Sequence, residues 1–242
     1  VTDLEQCPDP EAVAVRAAAE IAKHLNGAVE QRGEAHLALS GGTTPARTYE
    51  LLAGSPVAWS AVEVWFADER CVGPEDEQSN YRLAEESLLH PAGLAAERVH
   101  RMAGELGPEH GAAAYADELQ ARMPPGAAGL PVLDVVVLGI GPDGHVASLF
   151  PRSPTLDAPA ELICLGVEDS PKPPPQRITL GLELLRAARF CLLLATGAGK
   201  ADALAAMLGE PSHEVPASLL ERERLSVIAD AQALPSRPPA DE

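Results

Sequence analysis

Basic residues are scarce in this 242-residue chain, with 18 Lys and Arg against 36 Asp and Glu and a formal net charge of −18. That balance opposes non-specific attraction to nucleic acid or an anionic membrane, so a phosphorylated ligand must be drawn by a local cluster of cations. Aromatic residues make up only 3%, too few for the stacking platforms on which single-stranded nucleic acid lies. The four cysteines, Cys7, Cys71, Cys164 and Cys191, form no CxxC pair. Neither a zinc knuckle nor a disulfide framework is indicated, and reduced thiols are the expectation. No run of 18 apolar residues occurs, and the first twenty residues hold no basic stretch followed by an apolar core. A membrane span and secretion are therefore not expected, and the cytoplasm is the expected compartment.

Several catalytic signatures are missing too. GAGKAD lacks the first Walker glycine and the Ser or Thr after Lys200, while Ser40 has Ala38 where a nucleophile elbow requires Gly. There is no HExxH and no second histidine pair to complete a zinc site around Asp143 and His145, so metal-independent chemistry is expected. His24, His36, His90, His100, His110 and His213 stand in helical or surface contexts where solvated or core-satisfied imidazoles are ordinary. Cys71 follows the charged triplet Asp68-Glu69-Arg70, yet the preferred reading is a small half-buried apolar residue.

What the chain does contain is a regular alternation of two patterns. Residues 9 to 31 place apolar groups at helical spacing behind Asp9 as N-cap and Pro10 as first helical residue. Short aliphatic runs follow at 35–40, 62–68, 133–140, 161–167, 189–196 and 225–230, six predicted strands, most buried on both faces. Between most of them lie helical patterns: TPARTYELLAG, SNYRLAEESLL, PEHGAAAYADELQARM and GKADALAAMLG. The order predicts an α/β fold, a doubly wound and mainly parallel sheet with helices on both faces, Rossmann-like in architecture. A TIM barrel would need two more strands. The Pro-rich runs at 151–161 and 170–176 read as loops near the active edge and not as helices. One catalytic domain over 1–234 is the simplest organisation, with 235–242 expected as a disordered tail.

Two glycine-rich loops carry the functional signal. In DVVVLGIGPDGHVASLF, residues 134 to 150, a strand ends in Gly139, Gly141 and Gly144 and places Asp143 and His145 just beyond. The glycines spell GxGxxG, and Glu168 even supplies a distant acid. A dinucleotide site nevertheless needs a helix there, and Pro151, Pro154 and Pro159 break it. A carboxylate at Asp143 would also repel a pyrophosphate, so no dinucleotide or other cofactor is expected. The second loop, LALSGGTTPARTYELL, ends a strand at Ser40 and opens a helix, with Thr43 or Thr44 as a candidate cap and Pro45 in the first turn. Exposed amides at a helix start suit a monophosphate, and an ordinary β-to-α turn that binds nothing is the plain alternative.

Three stretches together resemble one family: LALSGGTTP at 37–45, WFADERCVGPEDEQSNYR at 65–82 and LGIGPDGHVASLFP at 138–151. They are similar to the signature blocks of the 6-phosphogluconolactonases, within the wider group that includes glucosamine-6-phosphate deaminases. With RITL at 177–180 and TGAGKADAL at 196–204, the likeness runs in order over most of the chain. The deaminases follow the DGH turn with a segment like AFNEP, whereas this chain has ASLFP, and they usually place an aromatic where Arg70 stands. Both differences favour the lactonases. Gly73-Pro74 departs from the lactonase pattern, in which Pro often follows Val directly.

The resemblance implies hydrolysis of 6-phosphoglucono-1,5-lactone, a sugar-phosphate lactone, as the small-molecule partner. It implies phosphate binding by the amides of Gly41, Gly42 and Thr43 with Arg177 and Lys200, and it places Arg70 near the sugar acid. For Arg177 and Lys200 a solvated surface position is the plain alternative. His145, with an ordinary pKa near 6.5, suits a general base. Asp143 would orient it, a role compatible with an Asx turn. Asp68 and Asn80 are further substrate-side candidates with structural uses of their own. Two other functions share the pattern: an aldose/ketose isomerase-deaminase, and a sugar-phosphate sensor without turnover. A monomer or small homo-oligomer is expected.

Overall fold

The computed structural model describes residues 2–126 and 129–234; the predicted tail at 235–242 lies outside the described residues. Helix α1, Pro10–Arg32, begins where the sequence places it. The Asp9 carboxylate accepts from the Ala12 amide at 2.8 Å, and Pro10 occupies the first turn, where its missing N–H costs nothing. Its buried stripe is Val13, Ala14, Ala17, Ala18, Ile21, Ala22, Leu25 and Ala28. The small alanines let the helix axis approach the strands closely while Ile21 and Leu25 fill the space between.

Among the described residues nine strands follow in order: β1 Asp3–Cys7, β2 Ala35–Leu39, β3 Val62–Phe66, β4 Asp68–Arg70, β5 Val135–Gly139, β6 Cys164–Val167, β7 Arg177–Leu180, β8 Phe190–Ala195 and β9 Leu225–Asp230. Six of them form one sheet in the order β1-β9-β8-β5-β2-β3, every pairing parallel. β2 is buried at every position, as a central parallel strand must be, because helices cover the sheet. The other helices are α2 Thr43–Ala53, α3 Asn80–Ala84, which runs on as a π-helical turn over Glu85–Leu89, α4 Pro108–Arg122, α5 Leu182–Ala187 and α6 Ala201–Leu208. The buried side chains form one contiguous cluster, with Trp65, Tyr49 and Tyr115 the largest fully buried members. The doubly wound reading is borne out.

Three details differ from the sequence expectation. The run at 161–167 is not in the parallel sheet; β6 pairs antiparallel with β7, and β7 with β4, in a separate three-stranded sheet. Two of the four positions of β6 are not buried, so this strand cannot sit between two helical layers. β1 is absent from the six predicted strands because DLEQC is mostly exposed and carries two carboxylates, the composition of a protected edge strand and not of an apolar run. Within the Pro-rich stretch, Pro154–Asp157 forms a single 3-10 turn.

Candidate active site

The strand order reverses between β2 and β5: from β2 the chain moves outward to β3, and from β5 it moves the other way to β8 and β9. At such a switch point the loops leaving neighbouring strands diverge and open a crevice at the carboxyl edge. The two loops here are the ones the sequence singles out, residues 40–42 after β2 and 140–145 after β5. A cavity of about 350 Å³ lies between them, lined by Gly41, Gly42, Thr43, Thr44, Asp68, Arg70, His145, Lys172, Arg177, Thr196 and Lys200 among others.

Gly42 is the N-cap of α2, with φ at 115°, a conformation that a Cβ opposes. No side chain caps the helix, so the expectation that Thr43 or Thr44 acts as the cap is corrected. Both threonines lie inside the helix, and Thr44 Oγ1 shares a 2.5 Å hydrogen bond with Thr196 Oγ1 at the end of β8. The opening amides of α2 are thereby left for an anion, which the helix dipole also favours.

The small sheet supplies charge. Residues alternate faces along β4, so Asp68 and Arg70 share a face and Glu69 takes the other. The Glu69 carboxylate accepts from the amides of Arg70, Asn80 and Tyr81 at 2.7 to 2.8 Å and from Ser79 Oγ at 3.0 Å, tying α3 to β4. Asp68, 4% exposed, accepts from Ser148 Oγ at 2.7 Å and from Asn80 Nδ2 at 3.1 Å. Arg70 is the register partner of Arg177 across the β4–β7 pair. Like charges directly opposite are unfavourable, and burial followed by the Arg70 charge holds the Arg177 guanidinium below its ordinary pKa. Asp68 lies 4.0 Å from Arg177 Nη1. Nε of Arg70 is buried without a hydrogen-bond partner among the described residues.

On the loop after β5, His145 Nδ1 and Asp143 Oδ1 are 2.5 Å apart. A carboxylate only accepts, so Nδ1 carries the proton and Nε2 is the basic nitrogen. Burial pushes the imidazole below its ordinary pKa, an effect that the hydrogen bond and charge of Asp143 partly offset. Burial disfavours ionised Asp143, but the His145 hydrogen bond and charge outweigh it, with help from Lys172, and hold the carboxyl low. The pair fits only because residue 141 is glycine: a Cβ there would fall inside the van der Waals radius of the His145 ring and 2.5 Å from Asp143 Oδ1.

Of the residues singled out in the sequence, Gly41, Gly42, Thr43, Asp68, Arg70, His145, Arg177 and Lys200 line this cavity, and Asp143 stands behind His145. Asn80 acts through Asp68, donating to its carbonyl as well as its carboxylate. Lys200 occupies the N-cap of α6, and burial lowers its pKa. Arg177 also holds a loop in place, since its Nε donates to the Pro174 carbonyl at 3.1 Å and its Nη2 to those of Lys172 and Pro173 at 3.2 and 3.0 Å. That loop carries Lys172, whose Nζ is 3.6 Å from Asp143 Oδ2. Lys172 is the site residue that sequence reasoning misses; a lone lysine among prolines in a loop near the active edge is the available signal. His36 and His100 prove fully built into the interior, His36 on β2 accepting from Trp65 Nε1 at 3.1 Å and His100 between Glu63 and Glu118.

An open parallel sheet with a bare helix start and an acid–imidazole pair at its switch point has the layout of an α/β enzyme. A family model described as glucosamine-6-phosphate isomerases/6-phosphogluconolactonase matches residues 8–229, and the chain belongs to that family. It is 42% identical over 221 residues to a 6-phosphogluconolactonase of Streptomyces coelicolor, covering 87% of this chain and 84% of that one. A crystal structure of a 6-phosphogluconolactonase from Shewanella baltica superposes with a TM-score of 0.83 at 31% identity, covering 96% of this chain and 98% of the other. A monomeric glucosamine-6-phosphate deaminase superposes at 0.79 with 21% identity, a likeness of fold alone.

Proposed function

We infer that this chain hydrolyses 6-phosphoglucono-1,5-lactone to 6-phosphogluconate, the second step of the oxidative pentose phosphate pathway, within one α/β catalytic domain. The observation that carries the reading is the Asp143–His145 pair, held at 2.5 Å on the wall of a cavity whose other wall is the bare start of α2. The phosphate lies against the amides of Gly41, Gly42 and Thr43, with Lys200 supplying charge. Arg70 and Arg177, opposed across β4 and β7, are relieved of their mutual repulsion when an anion lies between them.

His145 Nε2 takes a proton from a water as its oxygen adds to the lactone carbonyl carbon, and the carbonyl π pair moves to oxygen. Asp143 stabilises the imidazolium and keeps the ring oriented. As the tetrahedral intermediate collapses, the bond from C1 to the ring oxygen breaks, and Nε2 returns its proton to that oxygen. The product is the open hydroxy acid, and the imidazole is neutral again. Arg70 is the group proposed to stabilise the oxyanion.

Acid release from freshly prepared lactone, measured above its spontaneous hydrolysis with glucosamine 6-phosphate run in parallel, tests the assignment. Acid release well above the blank without ammonia is expected. Ammonia release would select the deaminase reading, and tight binding without turnover the sensor.

A further inference from the structure

A second cavity, of about 730 Å³, opens at the opposite end of the large sheet. Its walls come from the C-terminal half of α1 and from residues just ahead of β5, β8 and β9, which places it at the amino edge. Lys23, Arg32, Arg189 and Arg224 line it, and Asp134 is the one carboxylate among the described lining residues. Four cations against one anion leave a formal +3, His24 taken as neutral, on a protein of net −18.

The local acids are already committed. Asp134, 4% exposed, meets Arg32 at 2.7 Å and Arg189 at 3.2 Å while accepting from the His36 amide at 2.9 Å. Lys23 meets Glu20 at 3.3 Å, but Glu20 is also bound by Arg16 at 2.6 Å. Arg224 Nη1 donates to the Ala187 carbonyl at 3.1 Å, and no carboxylate among the described residues forms an ion pair with it. One wall is flat: the His24 ring is stacked on Phe190 with centroids 3.7 Å apart and planes 6° from parallel. Cavities of this volume are typical of small-molecule sites, and guanidinium forks match phosphoryl oxygens.

We propose that this amino-edge cavity binds a phosphorylated small molecule with two or more negative charges, through Lys23, Arg189 and Arg224, with its remaining part against the His24–Phe190 wall. No described residue lines both this cavity and the catalytic one, so the ligand and the lactone do not compete.

The test is calorimetric titration of the intact chain with inorganic pyrophosphate and, separately, with ADP. The wild type is expected to take up one equivalent of pyrophosphate at the amino-edge cavity. The double variant Lys23→Gln, Arg189→Gln weakens that binding by about tenfold or more while leaving kcat on the lactone unchanged, and Lys200→Gln, in the other cavity, leaves the binding as it is. Arg189→Lys keeps a charge beside Asp134 and removes the fork, so it gives the same direction of change without risk to folding. Tighter binding of ADP than of pyrophosphate at the second site assigns the flat wall to a ring; equal affinity assigns recognition to the phosphates alone. No uptake by the wild type, or unchanged affinity in both Arg189 variants, overturns the proposal.

Discussion

Replacing Asp143 by Asn removes a charge from the proposed catalytic pair while nearly preserving its shape. The 2.5 Å contact to His145 Nδ1 becomes a neutral hydrogen bond, or an unfavourable one if the amide nitrogen faces the ring. A hydrogen bond to a charged group contributes roughly 1.5 to 3 kcal/mol, and about 1.4 kcal/mol corresponds to tenfold, so kcat/KM should fall by roughly 10- to 150-fold. The pH profile supplies an independent readout. In the wild type, burial lowers the His145 pKa and Asp143 raises it, so the acid limb of kcat/KM lies below the ordinary imidazole value of about 6.5. Without the Asp143 carboxylate, burial and the Lys172 charge are opposed only by the charge of Asp68, and the limb moves further toward acid even as the plateau drops. Initial rates of acid release between about pH 5 and 8, corrected for spontaneous hydrolysis, measure both. An unchanged plateau, or a limb displaced toward alkaline pH, would refute the coupling of the two residues.

Gly141→Ala should push the imidazole off Asp143, because the new methyl overlaps the ring. We expect kcat to fall on the order of 10²-fold with the circular dichroism spectrum unchanged, the scale of a misplaced catalytic group; full activity would place the pair elsewhere. Lys200→Gln should raise KM about tenfold and leave kcat nearly intact if the lysine meets the phosphate, and an unchanged KM counts against that contact. Arg177→Lys should instead lower both kcat and Tm, since it loses donors to the 172–174 carbonyls as well as a cavity-facing charge; a pure KM effect would assign Arg177 to binding alone. Burial holds His24, His36 and His145 below their ordinary pKa. Their folded pKa values lie below the unfolded ones, so they contribute stability that is present above about pH 6.5 and lost as pH falls through the folded values. Calorimetric Tm should therefore decline from about pH 7 toward 5.5, and a flat Tm across that window contradicts the buried neutral histidines.

The parts of the site that are legible in the sequence are those with local causes. Asp9-Pro10 starts a helix because a side-chain acceptor and a fixed φ act within three residues. SGG followed by TTP marks a bare helix start because glycine reaches φ values that other residues resist. Asp143 and His145 lie two apart on one turn, so their contact depends on that turn alone. Even here the expected Thr cap is absent, since a helix start left open for an anion is locally indistinguishable from one capped by its own threonine.

What depends on distant pairing cannot be read from spacing. Hydrophobic runs do not tell a strand its neighbours, so 161–167 reads as a member of the parallel sheet, although its half-exposed positions suit only the antiparallel edge beside β7. That same small sheet sets Arg70 opposite Arg177, and the loop leading into it sets Lys172 beside Asp143. By itself the sequence determined the alternation of β and α, the glycine-rich helix start and the acid–imidazole turn, because caps, glycine dihedrals and residue periodicity act over a few positions. Only the tertiary structure decided which cations meet at the switch point and which gather at the far edge, because opposed strands and buried charges are arranged by the packing of the whole chain.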